Sequence, residues 1–219
     1  MKKKMLDLFA GTCSVSNEFR KAGWETYSVD WDERFDVTMH ADISKLTAQD
    51  VIELCHGKPD VVWASPDCTS YSVMAISYHR EKVGDMLVPK TDYAKFCDDT
   101  NRHVLELIEE LQPRYFFIEN PVGALRKMPF ITEREKSGFM TRYTTTYCQW
   151  GERRQKPTDI WTNHPDPMFR PACKRGSPCH DPAPRGSKSG TQKIKGSKDR
   201  ARIPEQLCQH IVSICGGIQ

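Results

Sequence analysis

The chain has 219 residues, of which 38% are hydrophobic and 28% charged, and a net charge of +3. That is enough for one domain with a substantial core, and too apolar for an intrinsically disordered chain. No apolar run approaches the roughly 18 residues needed to cross a bilayer, and MKKKMLDLFAG has no signal-peptide core before its first strand, so a cytoplasmic protein with no membrane partner is expected. Nine cysteines, at 13, 55, 68, 97, 148, 173, 179, 208 and 215, form no disulfide-like framework. They read as free thiols, any special ones being nucleophiles or metal ligands. The charge is unevenly spread: residues 151–204 hold 13 Lys+Arg against 5 Asp+Glu, a net +8, which leaves −5 for the rest. Such a basic segment suits a polyanion and equally a solvated loop.

In chain order, residues 4–9 (KMLDLF) read as a strand and AGTCSVSNEFRKAG as a turn into an amphipathic helix stopped by Gly23. Residues 24–29 form a second strand that ends in Asp30-Trp31-Asp32, with Asp30 lying 19 residues after Gly11. This strand–glycine turn–helix–strand–acid spacing places a helix N-terminus toward a nucleoside cofactor and a carboxylate near its ribose. The absence of GxGxxG argues against a dinucleotide and leaves a nucleoside such as S-adenosylmethionine. HADIS (40–44) is a third short strand with Asp42 after it, and Thr47 to Asp50 reads as the capped start of a helix. Residues 60–64 are an apolar strand whose end presents Cys68 through Ser65-Pro66-Asp67.

Residues 72–89 have little periodicity and are expected to be a functional loop, a candidate lid. A helix follows over 91–111, then the strand RYFFIEN (114–120), ending in Glu119-Asn120 beside the Cys68 strand. Residues 143–147 and 158–162 look like a strand pair, residues 163–202 are rich in Pro, Gly, Ser and basic side chains, and 205–215 is a short helix. The repeated strand–helix alternation predicts an α/β fold: a Rossmann-like, doubly wound parallel sheet with a small irregular basic C-terminal insertion.

Taken together and in order, these stretches resemble the cytosine carbon-5 DNA methyltransferases over roughly residues 5–162. DLFAGTCSVS matches the family's first motif at Phe9 and Gly11, with Cys13-Ser14 where glycines are usual; PDCTSYS matches Pro-Pro-Cys-Gln-x-Phe-Ser at Pro66, Cys68, Tyr71 and Ser72; ENPVG matches Glu-Asn-Val-x-Gly at Glu119 and Asn120. The resemblance implies a Rossmann-like S-adenosylmethionine-dependent methyltransferase domain over 1–162, a basic target-recognition segment over 163–202 and a terminal helix over 203–219 packing back on it. It implies cofactor contacts at Phe9, Ala10, Gly11, Thr12, Cys13, Ser14, Asp30, Trp31, Asp42, Ser65 and Pro66. It makes Cys68 the nucleophile toward cytosine carbon 6 and Glu119 the acid at ring nitrogen 3. Ser72 and Asn120 are assigned to the substrate side.

The family's Gln-x-Arg-x-Arg motif is replaced by GERRQKPTD, which sets Arg154, Lys156 and Thr158 at those positions. Arg154 or Arg153 is expected to supply an orienting guanidinium, with Arg154 taken as catalytic and Arg153 and Lys156 as substrate contacts. In PAPRGSKSGTQKIKGSKDRAR, Arg185 and Lys188 are the expected phosphate contacts. His164, Cys173, Cys179 and His180 offer four N/S ligands within 17 positions of a segment with little apolar core, which makes sense as a zinc site. Free thiols in a DNA-facing loop are the alternative. The expected partner is double-stranded DNA, bound by a monomer in the cytoplasm, the host's if the source is a phage. A non-catalytic DNA-binding regulator, and a related chemistry at the same carbon or on RNA, stay open beside methyl transfer. An amino-group methyltransferase fits poorly, since Cys68 stands where its motif needs an aromatic.

Overall fold

The computed structural model describes residues 2–174, 176–182, 196, 199 and 201–216. A seven-stranded sheet forms its centre: β1 (Lys4–Leu8), β2 (Glu25–Asp30), β3 (Met39–His40), β4 (Val61–Ala64), β7 (Tyr115–Pro121), β8 (Thr141–Thr146) and β9 (Pro157–Thr162). The remaining strands, β5 (Arg80–Val83) and β6 (Met86–Pro89), form a separate antiparallel hairpin. Strand order in the main sheet is β3-β2-β1-β4-β7-β9-β8. The first five are parallel, whereas β9 runs antiparallel to both β7 and β8. The Rossmann-like, doubly wound sheet expected from the sequence is present, and the expected pairing of the last two strands adds an antiparallel member, because residues 147–156 join β8 to β9 without a crossover helix.

Side-chain alternation assigns each strand residue to a face. Leu6, Leu8, Val62, Ala64, Phe116 and Ile118 point to one core, covered by α2 (Ala48–Leu54), α4 (Asp92–Leu111) and α5 (Pro129–Lys136). Met5, Val61, Trp63 and Phe117 point to the other, covered by α1 (Ser14–Lys21) and α6 (Glu205–Ile214), which pack on one another. One position beyond Ile118, the same alternation turns Glu119 toward the α1 and α6 side.

The local signals act as their chemistry requires. Thr47 and Asp50 form a reciprocal capping box on α2, and Thr91 caps α4 through the Ala94 amide at 3.2 Å. Gly23, at φ +82°, ends α1. Residues 72–89 differ from the loop expected. They contain α3 (Ile76–His79) and the β5–β6 hairpin, which turns at Gly84 with φ +60°. Its strands are mostly exposed, so they lack the apolar alternation that would have marked them. α5 was also missed, its eight residues having little amphipathic contrast. Among the described residues, no helix is long and apolar enough to cross a membrane.

Candidate active site and cofactor cleft

The sheet reverses strand order between β1 and β4, and a cleft opens along the carboxyl ends of the strands there, where open α/β sheets bind ligands. It has two adjacent chambers that share Phe9, Pro66 and Asp67. The larger, about 430 Å³, is lined by Phe9, Trp31, Asp42, Ile43, Tyr93 and Phe96 among others. The smaller, about 210 Å³, holds Gly11, Ser65, Cys68, Glu119 and Lys156.

The turn after β1 shapes the wall of both chambers. Phe9 (φ +58°), Gly11 (φ +47°) and Cys13 (φ +55°) all adopt left-handed backbone, which Gly tolerates and the other two hold at a cost of about 1–2 kcal/mol each. Cys13 thus stands where the resemblance has glycine and keeps the glycine conformation. Asp30 helps fix this turn: its Oδ2 accepts from the Gly11 amide and its Oδ1 from the Asp32 amide, both at 2.9 Å. It lines neither chamber, so the expected ribose carboxylate faces the backbone in this structure. Trp31, 70% exposed, and Asp42 do line the larger chamber. Hydrogen bonds from Ser44 and then Lys45 hold the Asp42 carboxyl below the usual carboxylate range. Ala10, Thr12, Ser14, Ser65 and Pro66 all line the smaller chamber, and Cys13 lies behind it. The aromatic faces of Phe9 and Trp31, the aliphatic Ile43 and the Asp42 acceptor suit an adenine with its amino group.

Cys68 follows β4 and begins the short turn Thr69–Tyr71. Burial is the largest influence on its thiol and lifts it to about 11; Lys156 draws it down, while Asp67 and Glu119 push it further up. The segment after β7 packs close against this turn. The Ala124 amide donates to Tyr71 O at 2.8 Å, and a Cβ on Gly123 would come within 2.5 Å of that oxygen, so only glycine fits. Asn120 Nδ2 donates to Pro66 O at 2.9 Å, tying the end of β7 to the strand end that leads to Cys68; its Oδ1 is buried without a hydrogen-bond partner. Asn120 therefore braces the site, and Ser72 lies outside the chamber lining, its Oγ accepting from the Met74 amide.

Glu119 is 4% exposed and held through one oxygen. Tyr147 Oη donates to its Oε1 at 2.9 Å, and Lys156 Nζ reaches Oε1 at 3.5 Å and Tyr147 Oη at 3.3 Å. Both contacts fall on Oε1, which leaves Oε2 for a ligand. Burial, then Glu119, push the Tyr147 hydroxyl well above its ordinary value, so it remains a donor. Sequence reasoning missed Tyr147: its meeting with Glu119 depends on β8–β9 geometry that no local motif carries.

Arg154 is not where the sequence reading put it. Its guanidinium bonds Glu152 at 2.7 and 3.1 Å and Arg202 O at 3.1 Å, and sits 5.0 Å over the Tyr147 ring. It backs Tyr147 from outside the chamber, and Lys156 is the cation that enters. Arg153 is exposed and paired with Asp181. Arg185 and Lys188 lie outside the described residues.

A buried network anchors the hairpin segment to the Cys68 turn. Arg80 donates to both oxygens of Asp98 at 2.7 and 3.1 Å and to Ser70 O at 3.0 Å, and Tyr71 Oη donates to Asp98 at 2.7 Å. Beyond this anchor, Val73, Met74, Tyr78 and Met86 expose apolar surface.

The metal-ligand set also differs from expectation. Cys148, Cys173, Cys179 and His180 bring their ligand atoms within 4.8 Å of one another. His164 is elsewhere, with Nε2 at 3.2 Å from Ile214 O and its ring 4.4 Å from that of Tyr115. Cys148, 25 residues before Cys173, takes its place. It sits just past β8, where a lone cysteine gave no spacing signal.

A Rossmann-like sheet whose carboxyl edge carries an aromatic-lined chamber beside one with a cysteine and a glutamate fits the fold of the S-adenosylmethionine-dependent methyltransferases. No protein-family profile matches the chain. It is 30% identical over 176 residues to the "Probable DNA (cytosine-5)-methyltransferase" of Frog virus 3 (isolate Goorha), covering 73% of this chain and 70% of that protein. In fold it is similar to the "putative DNA modification methyltransferase encoded within prophage" of E. coli (TM-score 0.54, 16% identity, 74% of this chain) and to the Dnmt2 methyltransferase of S. pombe (TM-score 0.51, 14% identity, 74% of this chain). The chain spans 46% and 49% of those two structures, about half their length. The chain belongs to the cytosine-C5 DNA methyltransferase family, whose methyl donor is S-adenosylmethionine.

Proposed function

We propose that the chain transfers a methyl group to carbon 5 of a cytosine flipped out of double-stranded DNA, with Cys68 as nucleophile and Glu119 as the acid. The observation that carries this reading is that Cys68, Glu119 and Lys156 line one small chamber that shares Phe9, Pro66 and Asp67 with the larger, aromatic-lined chamber. S-adenosylmethionine bound in the larger chamber supplies an electrophilic methyl on a sulfonium. Phe9, Trp31, Ile43 and Asp42 would hold its adenine end, and the turn around Gly11 would face its methionine end. Cytosine carbon 5 is too electron-poor to attack that methyl unaided. The Cys68 thiolate therefore adds to carbon 6 while Glu119, positioned by Tyr147 and Lys156, hydrogen-bonds the exocyclic amino group and protonates ring nitrogen 3. After methylation a base takes the carbon-5 proton, and the carbon–sulfur bond breaks to return Cys68.

At neutral pH the free thiol is largely protonated, and Lys156 is the cation that favours its thiolate. The base must leave the duplex to reach the chamber. The exposed apolar side chains of residues 73–86 suit a lid that covers the displaced base, and residues 163–202 are the basic recognition segment. We assign a monomer acting in the cytoplasm.

The test is incubation with labelled S-adenosylmethionine and separate DNA and RNA substrates, followed by nucleoside analysis. 5-Methyldeoxycytidine is expected, abolished in Cys68→Ala while cofactor affinity stays within about twofold. Label in RNA alone, in N4-methylcytosine or in no product overturns the assignment.

A further inference from the structure

Tyr147 and Lys156, the two side chains on Glu119, stand at the ends of the β8–β9 connection, and each has a sequence neighbour that belongs to the sulfur cluster or bonds to it. Cys148 follows Tyr147. Gln155 precedes Lys156 and donates through Nε2 to Cys173 Sγ at 3.3 Å. We propose that Cys148, Cys173, Cys179 and His180 bind one zinc ion, which clamps this connection to the root of the basic segment and so sets the position of Tyr147 and Lys156. The site lies outside the cleft, and it does not depend on which nucleic acid is methylated.

Three separations match a tetrahedral site and a fourth falls short of it. Zinc–sulfur bonds of about 2.3 Å and zinc–nitrogen bonds of about 2.0–2.1 Å place tetrahedral sulfurs about 3.8 Å apart and sulfur about 3.6 Å from nitrogen. Cys148 Sγ and Cys179 Sγ are 3.7 Å apart, and His180 Nδ1 is 3.5 Å from both Cys173 Sγ and Cys179 Sγ. Cys148 Sγ and Cys173 Sγ, at 3.1 Å, need to open by about 0.7 Å. Cys148 and His180 are buried, Cys173 and Cys179 half-buried, so the ion would be largely screened from water. Donors surround the sulfurs as thiolate ligands require: Gln155 on Cys173, and Gln149 Nε2 on Cys179 at 3.5 Å. Three soft thiolates with one imidazole select zinc over hard cations.

The need for a clamp is visible in the surrounding packing. Residues 171–182 are mostly exposed, and His180 is the only buried residue described there, so apolar contacts cannot hold this stretch. A structural metal does that work in small, core-poor segments.

Full-length protein purified under reducing conditions should carry one zinc per chain by mass spectrometry of the intact protein. Cys148→Ser and Cys179→Ser should each lose it, whereas His164→Gln should keep it. Cobalt(II)-exchanged protein should show tetrahedral d–d bands with the charge-transfer intensity of three thiolates. Removing the metal from wild-type protein should lower methyl transfer at least tenfold while leaving S-adenosylmethionine affinity within about twofold. The proposal is overturned by a zinc-free chain, by a mass two hydrogens lighter that marks a disulfide, by full zinc retention in Cys148→Ser, or by a metal-free protein that is fully active.

Discussion

On its cofactor side the cleft is shaped by backbone: three left-handed residues in one turn, with Asp30 bonded to two amides, mould the space between Phe9 and Trp31. On its catalytic side it is shaped by side chains that converge from separate elements, Glu119 from β7, Tyr147 from just beyond β8 and Lys156 from just before β9. A backbone-built surface tolerates exchange of side chains that keep its dihedral angles, as Cys13 does. A side-chain-built triad tolerates exchange only where charge and reach are preserved. Lys156 presents a cation to Glu119 without the planar fork of an arginine.

The contrast is tested most strongly on the catalytic side. Glu119→Gln should lower the methyl-transfer rate by about 10²–10⁴-fold with cofactor affinity unchanged, since only transition-state charge is affected. If cofactor binding fell equally, the two sides would not be separable. Next, Asp98→Ala leaves Arg80 buried and unpaired between the two sides; denaturant unfolding should show a loss of about 3–5 kcal/mol. A loss below 1 kcal/mol would mean that the hairpin is not anchored there.

On the cofactor side, Asp42→Asn should raise the S-adenosylmethionine dissociation constant by about 10-fold with little change in the maximal rate, since it weakens an ionic acceptor and leaves the backbone intact. A changed rate at saturating cofactor would show that Asp42 acts on the chemistry. The smallest effect concerns the Cys68 thiol, whose value is raised to about 11. Only the thiolate reacts, so alkylation of the Cys68 peptide should climb about tenfold per pH unit from pH 7 to 10. Lys156 lowers that value, so Lys156→Met should move the curve to higher pH and slow alkylation at pH 8 several-fold. An unmoved curve would separate Lys156 from Cys68.

How much of this could be read from the sequence follows the same division. Strand periodicity, the Thr47 cap and the strand-end positions of Gly11, Cys68 and Glu119 are local properties, and the sheet order places them at one edge. Local pattern did not reach the contacts set by strand reversal. Arg154 and Lys156 are two residues apart in a turn, and nothing in GERRQKPTD says which faces Glu119. The choice falls to Lys156 because Arg154 is taken up by Glu152 and Arg202 O. Similarly, Cys148 joins Cys173 only once β8 ends beside the returning chain, where the Cys173 amide meets Thr146 Oγ1 at 3.0 Å. The hairpin at 80–89 escaped because its exposed strands lack the alternation that a buried face imposes.

Reversal of β9 also bears on how such a chain can diversify. Thr158 pairs with Pro121 at the ligand edge and Thr162 with Phe117, so the chain enters β9 beside the chemistry and leaves it toward the opposite edge. Residues inserted just after Thr162, ahead of Cys173, would therefore enter the chain at the edge away from Lys156. A lineage could lengthen its reading segment between that exit and Cys173 while keeping the Cys173, Cys179 and His180 groups that meet Cys148, so target preference could change while the chemistry is inherited.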